Sequence, residues 1–505
     1  MKYFLSGCLF WGIGACALYI VRPNARLNKK TVETADRKEF LMAILVIVAT
    51  VLLCTLPMSL SPTWNGEIPG HRNQYEILAE SILNGHINLD YGDMDPKLLE
   101  MENPYNPEQR KAMGVSYHWD HAFYNGQYYM YFGVVPVFLL FLPFRVITGT
   151  SLTTYHATQV FTALFILGIF ALFLLLSKKF FSSLSWAAYL SLSAAASAMS
   201  VWYIVDAPAL YCTAISAGIC LEVWSLFFFA NAVWESTNQR QSILYGVLGS
   251  LFGALAFGCR PPTALANILA IPMFLCYIKG KKFNRKLLKQ ILVVILPYII
   301  IGTLLMVYNY ARFENPFEFG QSYQLTVADQ SSYGALSQFN LSKIRNGLLQ
   351  NFISYSSLQD SFPYFSDQSV FLNFPICIIA YFFLLQKDSL SLLKRHKLIG
   401  FMVALVLLPG IITISQILMA PYLTRRCRVD IYWLMGLFSY FSFGLLGETL
   451  NNRFKKGYGF FLSLLSFATI FRCFLLWTIP HDSNFTNTYP QYLEMFEKVI
   501  WFGFR

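Results

Sequence analysis

Charged residues are scarce in this chain: they make up 13% of its 505 positions, against roughly 25% in a soluble domain. That scarcity excludes an ordinary water-soluble globule. Cysteine pairing is missing too. The ten cysteines show neither the spacing of a metal centre nor a disulfide framework. Most of them (Cys8, Cys16, Cys54, Cys220, Cys276, Cys377 and Cys473) fall inside expected helices as small apolar packing residues. Cys259 and Cys427, each beside arginine at an expected outer helix mouth, are the one pair for which a disulfide is considered. There is no internal repeat and no low-complexity stretch. The apolar segment 4–21 lacks a cleavage site: only Lys2 precedes it, and no small-x-small motif stands before the basic run that follows. It reads as a retained span rather than a leader.

What is abundant is apolar surface. Hydrophobic residues reach 56% and aromatics 17%, with a mean hydropathy of +0.47. Segments 41–60, 155–176, 291–310 and 460–477 approach the roughly 20 residues that cross a bilayer core as a helix. Backbone in lipid must satisfy its own hydrogen bonds, so the expected fold is all-α: a polytopic bundle of transmembrane helices.

One segment breaks the pattern. Residues 61–130 hold ten carboxylates (Glu67, Glu76, Glu80, Asp90, Asp93, Asp95, Glu100, Glu102, Glu108 and Asp120) against four basic groups. That is a net −6 inside a chain of +11, so everything else sums to +17. A polar, acidic insert in an apolar, basic chain is where chemistry in water can occur.

Positive charge marks the cytoplasmic side. Lys279, Lys281, Lys282, Arg285, Lys286 and Lys289 form a run without an intervening acid, and basic clusters also stand at 22–38, 394–397 and 453–456. Setting these inside puts both termini, the insert, 311–368 and the tail outside. Lys178 and Lys179 join them inside only if the run 131–147, which contains Pro136 and Pro143, lies on the outer surface as a juxtamembrane helix. About twelve spans then remain. The expected organisation is two N-terminal helices (1–60), an outer loop with its juxtamembrane helix (61–148), a transmembrane bundle (149–310), a second outer loop (311–368), C-terminal helices (369–479) and an outer tail (480–505). The chain is thus expected to be a multi-pass protein of the cell membrane.

Several arginines violate the charge rule. Arg260, Arg312, Arg425, Arg426 and Arg428 all fall at outer helix mouths. A guanidinium binds phosphate through a planar fork that lysine lacks, so their convergence suggests an anionic ligand such as a lipid phosphate or pyrophosphate. The alternative is that each snorkels to headgroups or pairs with a local acid such as Glu314 or Asp430. In the same layer Asp120, Glu67 and Asp206 are candidate acids that could deprotonate or orient an acceptor hydroxyl. Asp120 is the best placed, in Tyr117-His-Trp-Asp-His121 among aromatics. His118 and His121 beside it could ligate a divalent metal, although no further spaced ligand accompanies them. The aromatics at 117–132 suit a membrane-interface belt and equally a platform for a sugar or polyprenyl chain. Glu222, in the span 209–232, is a lone deep carboxylate, and this scarcity of membrane-buried charge argues mildly against a coupled transporter.

This arrangement resembles the GT-C superfamily of integral membrane glycosyltransferases. Asn73-Gln-Tyr-Glu-Ile-Leu-Ala-Glu-Ser-Ile-Leu-Asn-Gly85 is similar to the family's first-loop stretch, and Tyr131-Phe-Gly-Val-Val-Pro136 to the opening of its juxtamembrane helix. Arg312-Phe-Glu-Asn-Pro-Phe-Glu-Phe-Gly320 and Arg426 to Asp430 resemble motifs of a largely uncharacterised bacterial branch. The likeness spans roughly 62–430 through loose motifs. It departs at one point: where the family's acidic pair would precede Tyr75, this chain has His71-Arg72-Asn73-Gln74. The resemblance implies transfer of a sugar from a polyprenyl-phosphate donor to a cell-surface glycan, lipid or protein. Asp120 or Glu67 would act as the base and the outer arginines would bind the donor phosphate. Membrane lipids are further expected partners, and nucleic acid is not. The competing readings are a non-enzymatic carrier or scramblase of lipid-linked glycans, and an inactive scaffold relative.

Overall fold

The structure, a computed structural model, describes residues 2–62, 74–279, 284–332, 339–420, 423–481 and 484–504. Glu67 and His71–Asn73 lie outside them. Ten helices among the described residues are long and apolar enough to cross a membrane. The elements that matter here are α1 (Lys2–Ile20), α2 (Arg37–Leu60), the loop helix α3 (Gln74–Leu83), a hairpin of β1 (Ala122–Tyr124) and β2 (Gln127–Tyr129), and α4 (Val137–Thr148). They are followed by α5 (Thr154–Phe180), α6 (Trp186–Asp206), α7 (Leu210–Glu235), α8 (Gln239–Phe257), α9 (Pro261–Ile278) and α10 (Arg285–Phe313). An interrupted helical stretch at 370–385 precedes α11 (Ile399–Met419), α12 (Arg425–Thr449), α13 (Asn452–Trp477) and the tail helix α14 (Pro490–Ile500).

Small side chains determine which helix is central. The run Ser191-Leu-Ser-Ala-Ala-Ala-Ser-Ala-Met-Ser200 lets neighbours approach α6 closely, so α6 is buried almost throughout. Ser193, Ser197 and Ser200 turn their hydroxyls back to carbonyls one turn earlier, at 2.7, 2.8 and 2.6 Å, and bury no unpaired donor. Gly436 of α12 packs against Ala196, where an added Cβ would stand 3.0 Å away. The outer helices α1 and α10 instead keep broad apolar faces uncovered, as helices bordering lipid do.

The basic clusters gather at one end of the bundle. Thr31 bridges Ser185, Asn28 packs on Gly459, Lys179 pairs with Glu235 at 3.5 Å, and Cys276 donates to Lys397 O. The acidic insert and the segment after α10 cover the opposite end. There α4, twelve residues long, buries Val137 and Phe141 and leaves Val146 and Ile147 exposed. It is too short to cross a bilayer core. Tyr75 of α3 stacks on Phe141 at 5.1 Å, and Glu80 reaches Arg145 at 3.5 Å, so α3 and α4 form one layer over the bundle.

Candidate functional site

The acidic loop carries its own small core, and Asn125-Gly126 starts its order. Both residues take left-handed backbone angles (φ 47° and 75°), the conformation a tight two-residue hairpin turn demands. The hairpin then presents Ala122 to Gln324 and Phe123 N to Tyr323 O, so the segment after α10 docks alongside it. Arg110 clamps the two loops: its buried guanidinium donates to Pro104 O at 2.6 Å and Thr326 O at 2.5 Å.

Asp120 stands at the hairpin's entrance, held at φ 56°. Its backbone N–H donates to Leu325 O at 3.0 Å and its carbonyl accepts from Gln74 Nε2 at 2.8 Å. The carboxylate accepts from Gln324 Nε2 at 3.0 Å on one oxygen and from the Tyr211 hydroxyl on the other. Burial pushes its pKa above the usual carboxylate value, while the nearby Arg426 guanidinium pulls the other way.

The arginines come from three helix ends. Pro261 and Pro262 begin α9, so the chain must turn at Arg260. Arg260 Nε lies 2.9 Å from the fully buried Asp430, which also accepts from Gln416 Nε2 at 2.7 Å and from Thr263 Oγ1 at 2.5 Å. Arg312, 4% exposed in the last turn of α10, donates to Met130 O at 2.5 Å and Asn309 Oδ1 at 2.7 Å. Its guanidinium lies 4.1 Å from the Tyr308 ring centre, and its Nε has no hydrogen-bond partner among the described residues. Arg426 lies 3.9 Å from the Tyr211 ring centre and forms no ion pair among the described residues.

Asp120, Arg260, Arg312 and Arg426 line a single cavity of about 660 Å³ at the end of the bundle opposite the basic clusters. They are its only charged liners among the described residues, three cations to one anion. One wall is apolar, formed by Phe257, Leu305, Tyr308, Phe317, Phe319 and Met419. Gly133 seals the seam beneath: a Cβ there would fall 2.1 Å from Cys259 O, so the chain opening α4 lies directly on the turn that carries Arg260. Such a chamber can hold an anion with an attached apolar chain beside a carboxylate.

Other candidate residues lie elsewhere. Arg425 and Arg428 do not line the cavity; both pair with Asp367, at 3.3 and 3.0 Å, and Arg428 also donates to Asn351 Oδ1 and Gln368 O. Asp206 is buried against His481 and Asn484, where it ties the end of α6 to the C-terminal tail. His118 and His121 do not form a metal-type cluster: the described residues hold no group of three or more potential ligands. His121 contacts Trp119 O at 2.7 Å through Nδ1 and the Tyr91 hydroxyl through Nε2, so both ring nitrogens are occupied. Cys259 and Cys427 are free thiols, as are the other eight cysteines, so the disulfide considered between them is not formed.

Sequence reasoning missed Tyr211, Gln324, Gln416 and Asn309. Tyr211 and Gln324 bond the Asp120 carboxylate, Gln416 supports Asp430, and Asn309 orients Arg312. They are neutral residues in apolar or loop surroundings, and nothing local distinguishes them. The Asn125-Gly126 pair was a readable hairpin signal.

Fold and cavity together define a class: a multi-pass, all-α membrane protein with a partly polar, arginine-rich chamber at one end. No family model matches the chain, and neither the curated proteins nor the solved structures give a match.

Proposed function

We propose that this protein is a GT-C-like membrane glycosyltransferase that moves a sugar from a polyprenyl-phosphate donor to an acceptor hydroxyl at the outer membrane face. The observation carrying this reading is the shared cavity, in which one carboxylate of raised pKa faces three guanidinium groups beside an apolar wall. Arg426 and Arg312, which form no ion pair among the described residues, would hold the donor phosphate; Arg260, already paired with Asp430, would add a weaker contact. The polyprenyl chain would leave along Phe257, Leu305 and Met419. Asp120 would take the proton of the acceptor hydroxyl as its oxygen attacks the anomeric carbon. The bond from that carbon to the phosphate oxygen then breaks with inversion, and polyprenyl phosphate departs as an anion stabilised by arginine. Gln74, at the place where the family resemblance leads one to expect an acid, bonds the Asp120 backbone, which favours Asp120 as the replacement base. Glu67 remains a candidate outside the described residues.

The finer topology belongs to the same proposal. Adding α8 and the interrupted stretch 370–385 to the ten long apolar helices gives twelve crossings, with α4 lying on the surface. The basic end then faces the cytoplasm, and both termini face outward.

Purified protein in lipid, supplied with labelled polyprenyl-phosphate sugars and a panel of hydroxyl acceptors, is expected to release polyprenyl phosphate. Absence of turnover with every donor would overturn the reading. The carrier alternative gains little from the structure, since the deep carboxylate Glu222 is already bonded by Asn267 Nδ2 at 2.6 Å.

A further inference from the structure

The basic end of the bundle carries a feature that glycosyl transfer would not use. A second cavity of about 410 Å³ opens among α8, α9 and α10, within the roughly 300–1,000 Å³ range of small-molecule sites. Phe229, Ile243, Ile271, Phe274, Ile291 and Val294 make its walls apolar. Its polar liners are largely engaged with the protein. Ser242 Oγ donates to Ala232 O at 2.9 Å, and Tyr298 donates its hydroxyl to Asn267 Oδ1 at 2.5 Å. The surface offered to a guest is therefore hydrocarbon.

Dimensions and charge identify that guest. Along α10 the lining runs from Leu287 to Tyr298, which at 1.5 Å per residue is about 16 Å, close to one leaflet of a roughly 30 Å bilayer core. At its basic end the cavity adjoins an open cleft lined by Arg285, Lys286 and Lys289, and the two share Ile243 and Gln290. These three cations are exposed and form no ion pair among the described residues. A basic pocket between helices at the positive side of a membrane suits an anionic headgroup, and arginine adds a forked phosphate contact.

We propose that this joined cavity and cleft form a binding site for a membrane lipid with a phosphate headgroup, one hydrocarbon chain lying among α8, α9 and α10 and the phosphate resting on Arg285, Lys286 and Lys289. Neither half selects such a lipid alone. The charges alone would hold any anion weakly, since exposed charges are screened within about 10 Å at ordinary salt. The cavity alone would admit any lipid tail. The proposal does not depend on the chemistry at the opposite end.

Full-length protein is extracted from vesicles of mixed phosphatidylcholine and phosphatidylglycerol, and the retained lipids are read by native mass spectrometry. The parent protein should retain phosphatidylglycerol preferentially. Replacing Arg285, Lys286 and Lys289 together with Gln should cut that preference on the order of a hundredfold, the sum of three basic groups near a headgroup at about 1 kcal/mol each. Ile291→Trp should reduce retention of both lipids by filling the chain cavity while leaving the cleft charged. Soluble glycerol phosphate should not displace the lipid. Equal retention of the two lipids by the parent, or undiminished preference in the triple variant, would overturn the proposal. Displacement by glycerol phosphate would also overturn it, by showing a free-phosphate site. The three basic side chains are solvent-exposed, so thermal unfolding of the triple variant should match the parent.

Discussion

Tyr211 donates its hydroxyl hydrogen to a carboxylate oxygen of Asp120, and the same ring lies 3.9 Å from the Arg426 guanidinium. One neutral side chain of α7 thereby couples the buried acid of the loop to the cation that begins α12. The hydroxyl stabilises the ionised carboxylate, and the ring face offers Arg426 an attraction that leaves its N–H donors free for a ligand.

Asp120→Asn keeps the shape of the side chain, and asparagine tolerates the left-handed backbone that residue 120 adopts. The variant should fold, with a thermal unfolding profile close to the parent's. Its turnover should fall by roughly 10²–10⁴, the usual worth of a general base. Retained turnover measured as released polyprenyl phosphate would remove Asp120 from the mechanism.

Acid should abolish the proposed sugar transfer at a higher pH than an ordinary aspartate would dictate. Burial raises the pKa of Asp120 and Arg426 lowers it, so kcat/KM should drop as pH falls through the raised value rather than through about 3.9. Arg426→Gln removes the opposing cation and should move that limb to higher pH. An unmoved limb would assign it to another group. The stability effect has the opposite sense. The folded state holds this proton more tightly than the unfolded chain, so the stabilising contribution is complete below about 3.9 and is lost as pH rises through the folded value. At neutral pH Asp120→Asn should therefore not lower stability.

Two arginines of the same cavity should behave differently. Arg426→Gln breaks no ion pair among the described residues and deprives the buried Asp120 only of a nearby favourable charge, so its stability cost should be smaller than that of Arg260→Ala, while kcat/KM falls roughly tenfold to a hundredfold, the worth of a charge-assisted hydrogen bond. Arg260→Ala strands Asp430, which is fully buried, and should cost about 3–5 kcal/mol. Asp430→Asn in the same chain should recover part of that loss in thermal unfolding. Strict additivity of the two changes would show that the pair is not coupled.

Gly133→Ala tests the seam under the cavity. The added methyl would fall 2.1 Å from Cys259 O, so the loop must lift from the turn that carries Arg260. Overpacking of this kind costs about 1–3 kcal/mol. In kcat/KM for the donor, activity should fall less than in Asp120→Asn, because Arg260 and the loop separate while the base is kept. Parent-like kinetics would show that this close approach is not needed.

Much of the architecture was legible from hydropathy and charge. Long apolar runs became membrane-length helices, the run with Pro136 and Pro143 became the short helix α4, and the basic clusters gathered at one end. Residue type also singled out Asp120, Arg260, Arg312 and Arg426, because charge at a helix mouth stands out in so apolar a chain. It did not separate them from Arg425, Arg428 and Asp206, whose partners Asp367 and His481 lie far along the chain.

The amino-acid sequence by itself determined which segments leave water and where the remaining charges must collect, because burial of apolar side chains and self-satisfaction of backbone hydrogen bonds act segment by segment. Only the tertiary structure decided which charges stay available to a ligand. Asp367 consumes two arginines, Asp430 neutralises a third, and Tyr211 holds Asp120 at its hydroxyl and Arg426 over its ring face. Those outcomes depend on contacts between helix ends remote in the chain, and no local pattern of residues encodes them.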